Sequence, residues 1–171
     1  MTATAAPESI TVARANAPHV AVIGAGLAGL VTALRLRRAG ARVTLVTKGV
    51  GGLQLGHGTI DLLGYDPERV TNPAKGIEAF AAKHPEHPYA KIGVEAVRSG
   101  VELLSEILGE KLVNGSADEN VLVPTAVGAA RPTAFIPESM KAGVLHGDAK
   151  MVIIGVAQYK DFHPSLIAQN L

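Results

Sequence analysis

The residues whose types and spacing could do chemistry stand near the start of the chain, at Gly24, Ala25, Gly26, Leu27, Ala28 and Gly29. They form a G-x-G-x-x-G pattern. Gly24 allows a tight turn, Gly26 keeps no side chain between the backbone and a phosphate, and Gly29 lets a following helix pack closely. The first N–H groups of such a helix have no intrahelical partner, and the positive end of its dipole favours an anion. The chemistry this implies is the holding of a nucleotide phosphate. The pattern alone is weak, and its context supplies the rest.

That context is a strand before and a helix after. Residues 19–23 are an unbroken apolar run, as in a parallel strand buried on both faces. Leu27, Leu30, Val31 and Leu34 recur at helical spacing and predict one core-facing stripe. Arg35, Arg37 and Arg38 crowd the last turn, where positive charge suits the negative dipole end, and Gly40 supplies a left-handed stop. Residues 41–46 then read as the second strand of a right-handed βαβ unit.

Dinucleotide folds usually place Asp or Glu about 20 residues after the glycines to grip the adenosine ribose. Here that position is Thr47, followed by Lys48. Three explanations stay open. The ligand has no adenosine ribose, as in flavin mononucleotide; it carries an extra phosphate that Lys48 pairs, as in NADP; or Thr47 makes a weaker ribose hydrogen bond. Residues 47–58 form a loop with Gly49, Gly51, Gly52, Gly56 and Gly58, bare enough to lie against a flat ring system.

Further along, residues 59–65 read as a short strand or turn and 73–83 as a helix. The prolines after His84 and His87 hold residues 84–89 extended, and a helix follows over about 91–108. Asn114-Gly115 is a turn signal, 121–127 and 133–136 are short strands, 150–156 is a second buried strand, and 164–171 starts a helix. The fold class expected is α/β, a Rossmann-like FAD/NAD(P)-binding fold with a parallel sheet, incomplete, plus the start of a mixed α+β region. Residues 1–18 read as a disordered tail, 19–110 as the nucleotide-binding unit and 111–171 as the second region.

Composition sets the outer limits. The 171 residues are 47% hydrophobic and 18% charged with net charge +1, a globular profile without the basic footprint of a nucleic-acid binder. The apolar stretch 20–36 holds three glycines and Arg35, which fits a buried βα unit better than a bilayer span. With no cysteine, this chain carries no thiolate-held iron–sulfur cluster, disulfide or thiol nucleophile. His84 and His87 lack the companions of a metal site, so no metal is assigned. Ser99 and Ser139 have no histidine at a meaningful spacing, and Lys150 and Lys160 read as solvated. No catalytic base is identified.

Three runs then carry a resemblance: VIGAGLAGL at 22–30, LVTKG at 45–49 and GTIDLL at 58–63. With His87-Pro88-Tyr89 and the 151–162 stretch ending in Asp161-Phe162, the chain resembles the B subunits of the anaerobic glycerol-3-phosphate dehydrogenases, from about residue 18 to its end. The resemblance implies a flavoprotein with FMN, or alternatively FAD, working beside an FAD-containing A subunit and an iron–sulfur C subunit. It implies oxidation of sn-glycerol 3-phosphate to dihydroxyacetone phosphate, with electrons passed to a quinone at the inner face of the membrane. The cofactor contacts it adds are Gly58 and Thr59, and Asp61 is a candidate for the ribityl chain or a turn carboxylate. It gives no support to covalent attachment at His57. Family members are longer and end in a second glycine-rich segment, so the chain is expected to be an N-terminal portion. The competing expectations are an FAD oxidoreductase of the fumarate reductase or aspartate oxidase type, and a non-catalytic partner-binding domain.

Overall fold

The computed structural model describes residues 16–147 and 150–171. Residues 1–15, most of the expected tail, lie outside the described residues. Two compact units are present, one ending at His57 and the other running Gly58–Leu171.

In the first unit, β1 (His19–Ile23), α1 (Leu27–Arg38) and β2 (Arg42–Val46) follow in order. The strands pair in parallel, His19 opposite Arg42 through Ile23 opposite Val46. The helix stops where the sequence demands: Gly40 takes φ +85, and Arg37 donates to the Ala41 carbonyl at 3.0 Å. The apolar stripe of α1 is a correction. None of its residues is fully buried, and Leu27 and Leu30 are exposed. Within this unit the sheet has only two strands, too narrow a platform to cover a helix face, although Val22 beneath it is buried.

The second unit packs α2 (Pro73–Lys83) against α3 (Pro88–Leu108), beside short antiparallel strands. Asn72 caps α2 by accepting from the Lys75 N–H at 2.9 Å, and Pro73 sits where its missing N–H costs nothing. His87 caps α3, its Nδ1 accepting from the Tyr89 N–H at 3.2 Å. The helix therefore begins at Pro88 rather than near residue 91, with a break at Gly93. Before it lie β3 (Tyr65–Asp66) and β4 (Glu68–Arg69); after it come β5 (Asn114–Gly115), β6 (Val121–Pro124), β7 (Ala130–Thr133), β8 (Phe135–Ile136) and α4 (Pro164–Asn170). Val101, Val113, Ala117, Ala134 and Phe135 form the core, with Ile60 and Leu62 against it.

Three expectations differ here. Asn114-Gly115 is not a hairpin turn but pairs with β8, Gly115 opposite Phe135. Residues 150–156 form no strand, and Val152 and Ile154 are 85% and 78% exposed. An apolar run becomes a buried strand only when neighbours supply its ladder and cover, and local sequence does not encode those. Residues 58–110 share a unit with 111–171, whereas the sequence grouping put them with the βαβ unit.

An ion pair ties α3 to the turn before β6. Arg98 reaches both Asp118 oxygens, at 2.8 and 2.6 Å, and this hydrogen bonding holds the Asp118 carboxyl below the ordinary carboxylate range. A lowered folded-state pKa stabilises above the unfolded value and is lost as pH falls through the folded one. Acidification below about pH 4 is therefore expected to lower the melting temperature more in the parent than in Asp118→Asn. Thermal melts of both at neutral and acid pH check this.

Candidate functional site

The candidate site in the first unit is the junction of β1 and α1. Gly24 turns the chain with φ +103, a conformation that side chains resist, and its N–H donates to the Val46 carbonyl at 2.8 Å. That bond ties the glycine turn to the end of β2, so Thr47 emerges beside it. Gly29 sits where a Cβ would lie 2.0 Å from the Gly24 carbonyl oxygen, and only glycine permits this approach of helix to turn.

Gly26 is different. It has ordinary extended angles, φ −73 and ψ 174, and a Cβ there would meet nothing within 4 Å. It is the N-cap of α1, no side chain caps this helix start, and no acidic residue occupies the first turn. Leu27, Ala28 and Gly29 are the first helical residues, and N–H groups at these positions have no carbonyl one turn back. An opening at the N-cap, no competing carboxylate and uncapped amides fit a phosphate group.

A third segment joins them. A 3₁₀ turn over Gly51–Leu55 follows β2, and Gly51, at φ +68, lies so close that a Cβ would be 2.6 Å from the Ala25 oxygen and the Gly26 nitrogen. Counting glycines in the loop does not separate Gly51 from its neighbours; the contact with the Gly24–Gly26 turn does. Thr47 shapes the same loop. Its hydroxyl donates to the Gly49 carbonyl and accepts from the Gly49 N–H at 3.1 Å. A hydroxyl has one donor and two lone pairs, so one acceptor position remains for a ribose hydroxyl. Lys48 is exposed.

Gly58 and Thr59 belong to the second unit. Gly58 has φ +86, and the Thr59 hydroxyl accepts from Arg131 Nη2 at 2.9 Å and donates to Asp61 Oδ1 at 3.4 Å. Arg131 Nη1 also lies 3.3 Å from Asp61 Oδ2. Sequence reasoning missed Arg131. Its signal was available, because it is the lone charged residue between Glu119 and Glu138. His84 and His87 do come together, but around Phe80, with ring centroids 4.3 and 4.9 Å from it. Among the described residues no group of three or more His, Asp or Glu is placed to hold a metal. None of the described helices is long and apolar enough to cross a membrane.

Known proteins resemble this chain in sequence. The B subunit of the anaerobic glycerol-3-phosphate dehydrogenase of Mannheimia succiniciproducens is 36% identical over 160 residues, covering 89% of this chain and 37% of that protein. The protein of the same name from Yersinia enterocolitica is 36% identical over 161 residues, 89% of this chain and 38% of its own length. A probable B subunit of the same enzyme from Halobacterium salinarum is 33% identical over 153 residues, 90% of this chain and 36% of its own. The chain thus spans little more than a third of the relatives it matches. No solved structure matches it. The FAD binding domain family matches residues 19–171, so its description names FAD, and none of these comparisons names FMN. With its glycine turn, open N-cap and parallel strand pair all inside that match, the chain belongs to the FAD binding domain family.

Proposed function

We propose that this chain holds FAD as part of an anaerobic sn-glycerol-3-phosphate dehydrogenase. The observation that carries the reading is the match along 89% of the chain to proteins named as the B subunit of that enzyme. The head of α1, left open at Gly26, supports it as the place for the diphosphate. FAD takes the place of the FMN expected from sequence, since the family is described by FAD and the Thr47 hydroxyl keeps a free acceptor position for a ribose. In this reading Gly24, Ala25, Gly26, Leu27, Ala28 and Gly29 take the phosphates, and Thr47 and Lys48 the adenosine side.

When bound, the flavin accepts the two electrons that leave sn-glycerol 3-phosphate as it becomes dihydroxyacetone phosphate. This chain's own part is to bind the cofactor anion and fix its orientation. A proton-abstracting base is not assigned to it. These 171 residues hold no cysteine and so are assigned no part in an iron–sulfur relay; in this reading an iron–sulfur C subunit passes the electrons to a quinone, and the assembly sits against the inner membrane face through its partners. Anaerobic addition of sn-glycerol 3-phosphate to the assembled, flavin-loaded complex is expected to bleach the flavin absorbance. Absorbance indifferent to that substrate but restored by fumarate after chemical reduction would favour the fumarate reductase type instead.

A further inference from the structure

The segment His84-Pro85-Glu86-His87-Pro88-Tyr89 joins α2 to α3 and lies outside the cofactor reading. Its histidines are built into the joint. The His84 ring lies 4.3 Å from the ring of Phe80 on α2. The His87 ring stands edge-on to Phe80 at 4.9 Å and lies 5.1 Å from the Tyr89 ring. Pro88 has no N–H, so the Tyr89 amide is the first donor of α3, and His87 Nδ1 accepts from it at 3.2 Å.

An imidazole accepts at Nδ1 only while that nitrogen carries no proton; the imidazolium donates from both nitrogens. A proton on His87 Nδ1 would set N–H against N–H and add charge at the positive end of the helix dipole. The commoner caps, serine and asparagine, carry no such dependence. Histidine is the side chain whose charge ordinarily changes between about pH 5 and 8. What this cap holds is small and separable. Gly93, at φ +75, interrupts α3, so residues 88–92 are a helical turn that the longer part does not continue. So short a piece is marginal without its cap and packing.

The groups around His87 are Lys83 and His84 from α2, Glu86 from the joint, and Tyr89 and Lys91 from α3. Lys83 pairs with Asp66 of β3 at 3.0 Å and Lys91 with Glu86 at 3.3 Å, so both carboxylates already have a cation. Burial pushes the Tyr89 phenol up, away from the histidine range.

We propose that His87 is a pH-sensitive latch: neutral, it closes the first turn of α3, and protonated, it lets residues 88–92 open. Acid adds the proton that the capped form cannot hold at Nδ1. The latch therefore holds on the alkaline side of the histidine range and releases on the acid side.

Backbone amide exchange of the full chain, corrected for the intrinsic effect of pH, tests this. Protection at Tyr89, Ala90 and Lys91 is expected to fall about fivefold from about pH 8 to about pH 5.5, the equivalent of one lost cap. In His87→Asn, whose side chain caps without titrating, protection is expected to stay level. Level protection in the parent, or the parent's fall persisting in His87→Asn, would overturn the proposal. So would a fall abolished by His84→Gln, which assigns the response to the other ring. If His87→Asn does not fold, imidazole nitrogen NMR spectra of the parent decide. His87 Nδ1 gaining its proton over the same pH span in which the Tyr89 amide loses protection supports the proposal; spans that do not coincide overturn it.

Discussion

Gly26→Val is expected to abolish cofactor retention while leaving the fold nearly untouched. The two halves of that expectation have separate grounds. Gly26 has extended backbone angles open to any residue, and a Cβ there meets nothing within 4 Å, so the added side chain starts into open space rather than into the protein. Valine is a poorer N-cap than glycine, at a cost of about 1 kcal/mol or less. The same space is where an anion would have to approach the first amides of α1. Charge-assisted hydrogen bonds contribute roughly 1.5–3 kcal/mol each, and about 1.4 kcal/mol is a factor of ten in affinity. Losing two of them weakens binding by about 100-fold or more. Flavin absorbance per chain after purification, set beside a thermal melt of the apoprotein, checks both halves. Normal flavin content would place the site elsewhere.

Gly29→Ala is expected to do the reverse, harming the fold first and the cofactor only through it. One added methyl would lie 2.0 Å from the Gly24 carbonyl oxygen and 3.0 Å from its carbon. These are backbone atoms, with no flexible side chain to swing away, so α1 must lift off the turn. Overpacking against movable side chains costs typically 1–3 kcal/mol. Against backbone the expected loss is about 3 kcal/mol or more, read as a lower urea midpoint with an unchanged slope. A parent-like midpoint would mean the helix is not seated on the turn as described. The two glycines stand three residues apart in one motif, yet a Cβ at Gly26 meets open space and one at Gly29 meets backbone.

How far the sequence could be read follows from where each signal is written. The βαβ unit was legible to within a residue, because its strand run, glycine turn, helical spacing and Gly40 stop are all local. The same holds for α2, whose Asn72 cap and Pro73 start mark its N-terminus in the chain. Burial was less legible. The stripe on α1 and the run at 150–156 look like core, but covering them takes neighbours whose placement no short segment encodes. Asn114-Gly115 shows the converse, a turn dipeptide drawn into pairing with Phe135 and Ile136. The site divides in the same way. The tight turn at Gly24 and the close packing at Gly29 could be expected from the motif in its strand–helix context, whereas Gly51 and Arg131 are marked only by contacts 25 and 72 residues distant in sequence.

The central claim is that the bare amides at the head of α1 hold a flavin nucleotide. It is tested most directly by purifying the protein under mild conditions, denaturing it, and identifying and counting what is released by chromatography. The expected result is FAD, close to one per chain. Release of NADP alone, or of no nucleotide after reconstitution with excess FAD, would contradict it.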